Sequence, residues 1–403
     1  MMDWAVFYVQ TGRPGPWGSY LWQAHNEHRM PISRLLVAAD IEFFHGSGIA
    51  FFIVGALAYL VMVGVLIREI RATRLPAALG LAMIAAVIFC LAATYLTVLI
   101  GVPALSVFLQ TALFTILAIT LLDAQDENRH PARRAAALVC GVLAPFGVSA
   151  GFLVWPVLLW IAWHGRLHPT WLLVIGLVGA AEAIIYMHGI PFSAHEPISM
   201  AALLQMVDYG VRVLGLPWSH APALVWFGRL AGLLCLAASG WLLIKTSLQT
   251  PAPDRLQRIG AALILMALLT AAAAGAVRYD FAPERETPLR YGIFAAMALI
   301  GILFAGSGYL KYYYEKHGAR AIAPAMAVVV AVLLVQQTAA GFAAIAVART
   351  YISDWQLFSA GHWTPEMEHT VYPARNRAEA ALALFKNENL YSIDRKSSDI
   401  THP

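Results

Sequence analysis

Residues 48–67 have the sequence GIAFFIVGALAYLVMVGVLI, which contains no charged side chain. A helix of about 20 apolar residues crosses the roughly 30 Å hydrocarbon core of a bilayer. Seven further stretches have a similar length and apolar character: 76–99, 103–122, 169–187, 223–244, 257–277, 291–310 and 321–347. The chain is 60% hydrophobic and only 12% charged, whereas about a quarter of the residues of soluble domains are charged. These features predict an all-α, polytopic transmembrane helical bundle.

A ninth apolar stretch, 135–163, is too long for one span and contains Pro145, Gly147, Ser149 and Gly151 near its middle. Proline and glycine interrupt helices, and a membrane helix tolerates a break where the freed backbone groups find partners. We therefore predict two short helices hinged at this point, which brings the total to about ten spans.

Basic residues are distributed unequally between the alternate loops that connect these spans. One set of loops contains thirteen: Arg68, Arg71, Arg74, Arg129, Arg133, Arg134, Arg166, Lys245, Arg255, Arg258, Lys311, Lys316 and Arg320. The other set contains four: Arg212, Arg278, Arg285 and Arg290. Cytoplasmic loops are enriched in Lys and Arg, so the first set is predicted to be cytoplasmic. The segments on the other side are then 1–47, 188–222, 278–290 and 350–403.

This topology divides the chain into three parts. We predict a first extracytoplasmic loop over 1–47, a transmembrane helical domain over 48–348 and a small extracytoplasmic C-terminal tail over 349–403. Residues 375–385 of the tail have an amphipathic helical pattern. The first loop lacks a signal peptide, and a preceding helix is the simplest way to deliver it across a membrane. We therefore expect an eleventh span upstream of Met1.

The composition also limits the partners and cofactors. A formal net charge of +4 without any Lys/Arg run argues against nucleic acid, so the expected partner is the lipid bilayer. Cys90, Cys140 and Cys235 lie within apolar stretches, where they behave as small hydrophobic residues. The chain contains no HExxH or paired CxxC motif. We therefore predict no metal site and no cofactor, while a requirement for a divalent cation stays open.

A polar stretch, His25-Asn26-Glu27-His28-Arg29, lies just before the first span and is followed by Pro31. Proline suits the first turn of a helix, and residues 32–44 predict an interfacial helix. Its apolar face would consist of Leu35, Leu36, Ala39 and Phe43. A carboxylate held beside this helix can act as a general base on a hydroxyl group, and a histidine can relay the proton. The alternative is that these residues only anchor the chain at the interface.

Arg278, Arg285, Arg290 and Tyr291 form a second group, in and beside the loop between two predicted spans. Guanidinium groups bind phosphate through two parallel hydrogen bonds, so this group is predicted to bind a phosphate or pyrophosphate. The alternative is a solvated loop whose acidic residues neutralise the arginines. Those acidic residues are Asp280, Glu284 and Glu286.

Glu182 and Arg229 are charged residues within predicted spans. An ionisable residue in a membrane helix is a functional candidate, but a structural ion pair between these two is an equal alternative. Residues 200–207 predict a second interfacial helix.

The order of these features resembles the type C membrane glycosyltransferases, which are polytopic enzymes that use lipid-linked sugars. The resemblance rests on the acidic and aromatic first loop and on the step His28-Arg29-Met30-Pro31-Ile32-Ser33-Arg34-Leu35-Leu36 into an interfacial helix. The hinged pair around Pro145 to Gly151, with Trp155-Pro156 beyond it, is also similar. The Asp3-Trp4 start with Asn26-Glu27-His28-Arg29 further resembles a group of poorly characterised bacterial membrane proteins near those enzymes.

The resemblance implies a multi-pass enzyme of the bacterial inner membrane. It would move a sugar from a polyprenyl-phosphate-type donor to an extracytoplasmic glycan or lipid acceptor. The implied catalytic base is an acidic residue of the first loop, by position Asp3 and next Glu27, while His25 or His28 orients the acceptor. The implied substrate-binding residues are Asn26, Arg29, Arg34, Arg278, Arg290 and Tyr291, with Arg278 or Arg290 stabilising the departing polyprenyl phosphate.

Two other classes of function stay open. A transporter or flippase for a lipid-linked or small anionic solute should carry its decisive polar residues near the bilayer midplane, in paired broken helices. This chain has one clear break, at 145–151, and its charges lie towards the outer edge. A scaffold in an envelope polysaccharide complex would instead tolerate substitution of all these residues.

Overall fold

The computed structural model of the chain describes residues 2–10, 17–24, 28–96, 106–122, 131–190, 199–219, 225–249, 253–279, 289–364, 367, 375–388 and 390. Within these ranges the regular structure is helical, which confirms the predicted all-α class. The α-helices are α1 Met2–Gln10, α2 Trp17–Trp22, α3 Pro31–Phe44, α4 Ile49–Ala72, α5 Ala77–Leu96, α6 Ser106–Leu122, α7 Pro131–Leu143, α8 Val154–His164, α9 Pro169–Met187, α10 Met200–Gly215, α11 Val225–Leu248, α12 Arg255–Arg278, α13 Gly292–Ala305, α14 Ser307–His317, α15 Ala319–Ser359 and α16 Arg375–Asn387.

Five of the described helices are long and apolar enough to cross a membrane: α4, α9, α12, most of α11 and residues Pro324–Phe358 of α15. The pair α13 and α14, which is bent by 44°, makes a sixth if it forms one span. Shorter apolar helices occur at Ala77–Ala92, Val107–Leu122 and Ser149–His164. The chain is therefore a multi-pass helical membrane protein, and the count of about ten spans stays a prediction.

Helix α12 forms the centre of the bundle. Its apolar stretch is 67% buried within the protein, against 22% to 33% for the other four long helices. A methyl group at Gly260 of α12 would lie 2.3 Å from the Ala305 nitrogen of α13, and one at Gly301 would lie 2.7 Å from the Gly260 carbonyl oxygen. Small residues at such a crossing let two membrane helices approach closely, so these glycines fix the α12–α13 contact.

One end of the bundle is joined by charged side chains. The Arg255 Nε atom, at the start of α12, lies 2.7 Å from the Glu69 carboxylate near the end of α4. Arg255 and Arg133 also donate to the carbonyl oxygen of Thr120, over 2.8 Å and 2.9 Å. The ends of α4 and α6 and the starts of α7 and α12 therefore meet on one side. This agrees with the alternation of the basic loops, and the cytoplasmic identity of that side stays a prediction.

The predicted hinge within 135–163 is confirmed. Helix α7 ends at Leu143, two short 3-10 segments occupy Ala144–Phe146 and Ser149–Leu153, and α8 begins at Val154. We call residues 144–153 the break.

The break packs tightly against α6. The Thr111 hydroxyl of α6 donates to the Ala144 carbonyl over 3.0 Å and accepts from the Val148 N–H over 2.9 Å. A methyl group at Gly147 would lie 2.4 Å from both the Thr111 hydroxyl and the Val107 carbonyl oxygen. Only glycine therefore fits at this position of the break.

Helix α3 has the predicted proline at its first turn. Its buried face combines the polar residues Ser33, Arg34 and Asp40 with Val37, Ala38 and Ile41, whereas Leu35 and Phe43 are 46% and 76% exposed. An exposed apolar face is typical of a helix in contact with lipid. The predicted helix is confirmed, and its location at the interface stays a prediction.

In the C-terminal part, helix α15 is longer than the predicted span and helix α16 forms at its predicted position. Helix α15 continues to Ser359, twelve residues beyond the end of the predicted span at 347. Helix α16 forms where the amphipathic pattern predicts it, and it packs against α1. Phe358, Met367, Ala378 and Leu382 form a small buried cluster between the end of α15 and α16. The tail is thus tied both to a long helix and to the first loop.

Candidate functional site

Arg29 fixes the end of the first loop to the C-terminal end of α9. It is only 6% exposed. Its Nε atom donates to the Tyr186 carbonyl over 2.7 Å, its Nη2 atom to the His188 carbonyl over 2.5 Å and its Nη1 atom to the Trp22 carbonyl. The Arg29 N–H also donates to the Tyr186 hydroxyl over 2.7 Å. These contacts give the guanidinium a structural role, and its binding of a substrate stays a prediction.

His28 and Tyr186 connect this contact to the break. The His28 Nδ1 atom accepts a hydrogen bond from the Ser149 N–H over 3.4 Å. The Tyr186 ring stacks on Phe146 at 6.3 Å and meets Phe152 edge-on at 4.8 Å. Residues 28–29, the break and the end of α9 therefore form one polar and aromatic group, which we call the loop clamp.

Arg34 has a similar structural environment. It is buried on α3, donates to the Tyr20 carbonyl over 2.5 Å, and its own carbonyl accepts from the Tyr20 hydroxyl over 3.0 Å. Burial lowers the pKa of the Arg34 guanidinium from its ordinary value, and the Tyr20 phenol opposes that effect. The contacts pin α2 to α3, and binding of a substrate by Arg34 stays a prediction.

Four predicted catalytic or binding residues have side chains outside the part that the structure describes. His25, Asn26 and Glu27 lie outside the described residues, and Asp3 lies on α1 with only its backbone described. Their roles stay predictions. The flanking residue His28 is described, and it contacts the break.

Arg290 and Tyr291 lie beside Phe108 near the start of α6, and Arg278 is the last residue of α12. Arg285 and the acidic residues Asp280, Glu284 and Glu286 lie outside the described residues, and binding of a phosphate by this group stays a prediction. Arg290 lies in the 3-10 turn Leu289–Tyr291, and its guanidinium is 5.9 Å from the ring centroids of Phe108 and Tyr291. Burial lowers the pKa of Arg290; Tyr291 raises it, and the charge of Arg278 lowers it further. Two cations close enough to disfavour each other are stabilised by an anion between them.

Tyr209 and Arg212 of α10 join this group and were missed from the sequence. The Arg212 guanidinium lies 5.3 Å from the centre of the Tyr209 ring. Burial raises the pKa of Tyr209 and Tyr291 adds to the rise, whereas the charges of Arg278, Arg290 and Arg212 oppose it. Arg212 thus lies over the Tyr209 ring, and Arg278 and Arg290 are close enough for their charges to act on its phenol. We call Tyr209, Arg212, Arg278, Arg290 and Tyr291 the arginine cluster.

Close packing of α10 on α12 creates the arginine cluster. A methyl group at Gly275 of α12 would lie 2.3 Å from the Met206 carbonyl oxygen of α10, and one at Gly210 would lie 3.2 Å from the Ala271 carbonyl oxygen. The small residues Gly210 and Gly275 are the one sequence signal that could have indicated this contact. The predicted helix over 200–207 is confirmed, but it continues to Gly215 and carries Tyr209 and Arg212 into the bundle.

The alternative ion pair between Glu182 and Arg229 is wrong. Arg229 instead binds Asp208, with its Nε atom 3.0 Å from the carboxylate, and Asp208 also lies 3.1 Å from Arg212. Glu182 accepts a hydrogen bond of 2.7 Å from the Trp155 indole. The indole fits because a glycine lies on either side of it, at 141 and 179.

The loop clamp and the arginine cluster share one short part of α6. Val107 and Thr111 contact the break, while Phe108 between them meets the Tyr291 ring edge-on at 5.6 Å. The two groups therefore occupy the same end of the bundle, opposite the Glu69–Arg255 end. Such an arrangement can hold an anionic group beside a histidine-bearing loop.

Comparison of the chain with protein-family models, with curated proteins and with solved structures finds no match. Among the described residues no group of three His, Cys, Asp or Glu side chains is placed to hold a metal ion. The functional assignment therefore depends on the two residue groups and their geometry.

Proposed function

We propose that the protein is a membrane glycosyltransferase that moves a sugar from a polyprenyl-phosphate-type donor to an extracytoplasmic acceptor. The arginine cluster carries this proposal. The Arg212 guanidinium lies over the Tyr209 ring and Arg290 lies beside Phe108 and Tyr291, at the end of the bundle where the first loop is attached. The charges of Arg278 and Arg290 also act on the Tyr209 phenol. Guanidinium groups stabilise the charge that develops on a departing phosphate.

In the proposed reaction Asp3 or Glu27 removes the proton from the acceptor hydroxyl. The acceptor oxygen then attacks the anomeric carbon while the bond from that carbon to the phosphate oxygen breaks. The polyprenyl phosphate leaves with the electron pair and is held by Arg290 and Arg278. His25 or His28 orients the acceptor, and Asn26 contributes a hydrogen bond. Arg29 and Arg34 act mainly by fixing the loop in place.

We also propose that the chain has about ten spans and lies in a bacterial inner membrane. The loop clamp, the arginine cluster and the C-terminal tail are proposed to be extracytoplasmic. The distribution of basic residues supports this orientation.

The test is release of lipid phosphate. Full-length protein is extracted, supplied with labelled polyprenyl-phosphate sugars, and assayed for the free lipid phosphate and the glycosylated acceptor. We expect Arg290→Gln to lower the rate about 100-fold, the usual loss when one oxyanion-stabilising donor is removed. The control is Lys316→Gln, which removes an equal charge from α14. Equal rates for the two variants would remove Arg290 from the site.

A transporter or flippase for a lipid-linked or small anionic solute is the second candidate. The observation in its favour is the break beside the arginine cluster, because interrupted helices commonly hold anionic substrates in transporters. Uptake or flipping of labelled solute in proteoliposomes, without release of lipid phosphate from any donor, would favour it over the transferase.

A further inference from the structure

The end of α15 and the face of α16 enclose a cleft of about 200 Å³. It is lined by Phe358, Gly361, His362, Trp363, Glu379, Leu382, Ala383 and Lys386. Phe358 and Leu382 are buried and form the floor, while His362, Glu379 and Lys386 are exposed and form the rim. The cleft thus combines an aromatic interior with polar groups around its edge.

The turn after α15 holds the aromatic wall in position. Gly361 has a φ of 89°, a left-handed conformation that favours glycine. This turn lets the His362 N–H donate to the Leu357 carbonyl over 2.9 Å. The Trp363 ring then meets Phe358 at 5.7 Å and 73°, close to perpendicular. The indole is therefore a fixed wall of the cleft.

The opposite wall comes from one face of α16. Glu379, Ala383 and Lys386 are spaced four and three residues apart, so they share that face. The methyl group of Ala383 leaves a gap between two long polar side chains. Arg375 holds the Glu379 carboxylate at 2.8 Å, which orients it along the helix.

We propose that this cleft binds one sugar ring of a glycan. A pyranose presents C–H bonds on one face, which pack on an aromatic ring, and hydroxyl groups at its edge, which need donors and acceptors. Trp363 offers the aromatic surface, while Glu379, His362 and Lys386 offer hydrogen-bonding groups. The volume is that of about seven water molecules at roughly 30 Å³ each, which suits a single ring. A peptide would need a groove or a free strand edge, and this short cleft between two helices offers neither.

Helix α16 packs against α1, so the cleft belongs to the same part of the molecule as the first loop. On the proposed function, on which this step rests, the acceptor is a glycan rather than a lipid, and the cleft holds a ring of that glycan other than the one that is modified.

The test uses 19F spectra of the full-length protein labelled with 5-fluorotryptophan in lipid nanodiscs. The chain contains 12 tryptophans, and the signals missing from Trp363→Phe and Trp241→Phe assign those two positions. Trp241 lies on α11 beside Tyr309 and serves as the reference. Maltotriose, cellotriose, the trimer of N-acetylglucosamine and trialanine are then titrated. We expect at least one trisaccharide to shift the Trp363 signal saturably and to leave the Trp241 signal unchanged.

A matched pair of variants separates the cleft from the rest of the helix. Ala383→Leu fills the cleft and should weaken binding of the trisaccharide at least tenfold. Ala380→Leu makes the same change at an exposed position of α16 outside the cleft and should bind like the original protein. The inference is overturned if no trisaccharide moves the Trp363 signal, if trialanine alone moves it, or if the two leucine variants bind equally well. Because this readout needs no donor, failure of sugar transfer with binding intact would reject the enzyme and not the cleft.

Discussion

The side chain of Arg29 holds the end of the first loop in place. Three nitrogens of one guanidinium donate to three separate backbone carbonyls, at Trp22, Tyr186 and His188. An ammonium group lacks the planar fork that reaches several acceptors at once. The sequence indicated that Arg29 matters but not why, because Tyr186 is 157 residues away along the chain.

Arg29→Lys should therefore destabilise the loop rather than conserve its function. Leaving a buried carbonyl without its donor costs about 1–3 kcal/mol, so we expect a loss of about 2 kcal/mol in the free energy of unfolding. Thermal unfolding in detergent and the rate of proteolysis within the first loop measure it. Arg375→Lys, at an exposed ion pair with Glu379, is the control and should change stability by less than about 1 kcal/mol. Equal effects of the two variants would contradict the assigned role of Arg29.

Tyr209→Phe tests whether the Tyr209 hydroxyl of the arginine cluster contributes to binding of a phosphate. The variant keeps the ring under Arg212 and removes only the hydroxyl on which the charges of the three arginines act. One hydrogen bond to a charged group contributes about 1.5–3 kcal/mol, so affinity for a short prenyl phosphate should fall by at least tenfold. Binding measured by calorimetry, with the corresponding prenyl alcohol as reference ligand, gives the value. Tyr309→Phe, on an exposed part of α14, should leave affinity unchanged; a similar loss there would rule out a specific role for Tyr209.

Only some residues of the arginine cluster could be predicted from the sequence. Arg278, Arg290 and Tyr291 could be found because they sit where two apolar stretches end. Tyr209 and Arg212 could not, because their place depends on the approach of α10 to α12 at Gly275. Side-chain charge is visible in a sequence, whereas the crossing of two helices far apart in the chain is a property of packing.

At the scale of the helices, the break between α7 and α8 is the element that positions the loop clamp. Pro145 with its neighbouring glycines predicted an interruption. The partners of the interruption lie elsewhere: Thr111 satisfies its freed backbone groups, and His28 accepts from Ser149. The residues of the break itself thus predicted its location, whereas contacts with residues distant in the sequence determine its conformation.

Gly147→Ala should distort the break. The added methyl group would lie 2.4 Å from the backbone carbonyl of Val107, and a clash with backbone is not relieved by rotation of a side chain. Forced overpacking of this kind costs about 1–3 kcal/mol. Gly176→Ala is the matched control, since nothing lies within 4 Å of the new methyl group on α9. That control should be neutral or stabilising by up to about 1 kcal/mol, because alanine favours a helix over glycine.

Thermal unfolding of the two glycine variants in the same detergent makes the comparison. The 19F signal of a fluorinated Trp22, a ring that contacts both Phe146 of the break and Arg29, reports the local change. We expect this signal to move in Gly147→Ala and to stay in place in Gly176→Ala. Unchanged stability and an unmoved signal in Gly147→Ala would show that the break tolerates a side chain.

At the scale of the whole molecule, the protein has two chemically different ends. Glu69, Arg133 and Arg255 join four helix termini at one end, and the loop clamp and the arginine cluster occupy the other. The exposed apolar surfaces of α4, α9, α11 and α15 lie between them. The basic residues alone predicted loops that alternate between the two ends of the bundle, and this prediction is consistent with the observed division. The agreement is expected because the helices of a bundle must bring their polar ends to the same two surfaces.

Labelling of single cysteines tests which end faces outward. In a background with Cys90, Cys140 and Cys235 replaced by alanine, Arg166→Cys marks one end and His362→Cys marks the tail. A membrane-impermeant maleimide should label His362→Cys in intact cells and label Arg166→Cys only after permeabilisation, because Arg166 belongs to the loops rich in basic residues. The opposite pattern would place the arginine cluster in the cytoplasm. A transferase acting on an extracytoplasmic glycan would then be ruled out, since its anion site and its acceptor would lie on different sides of the membrane.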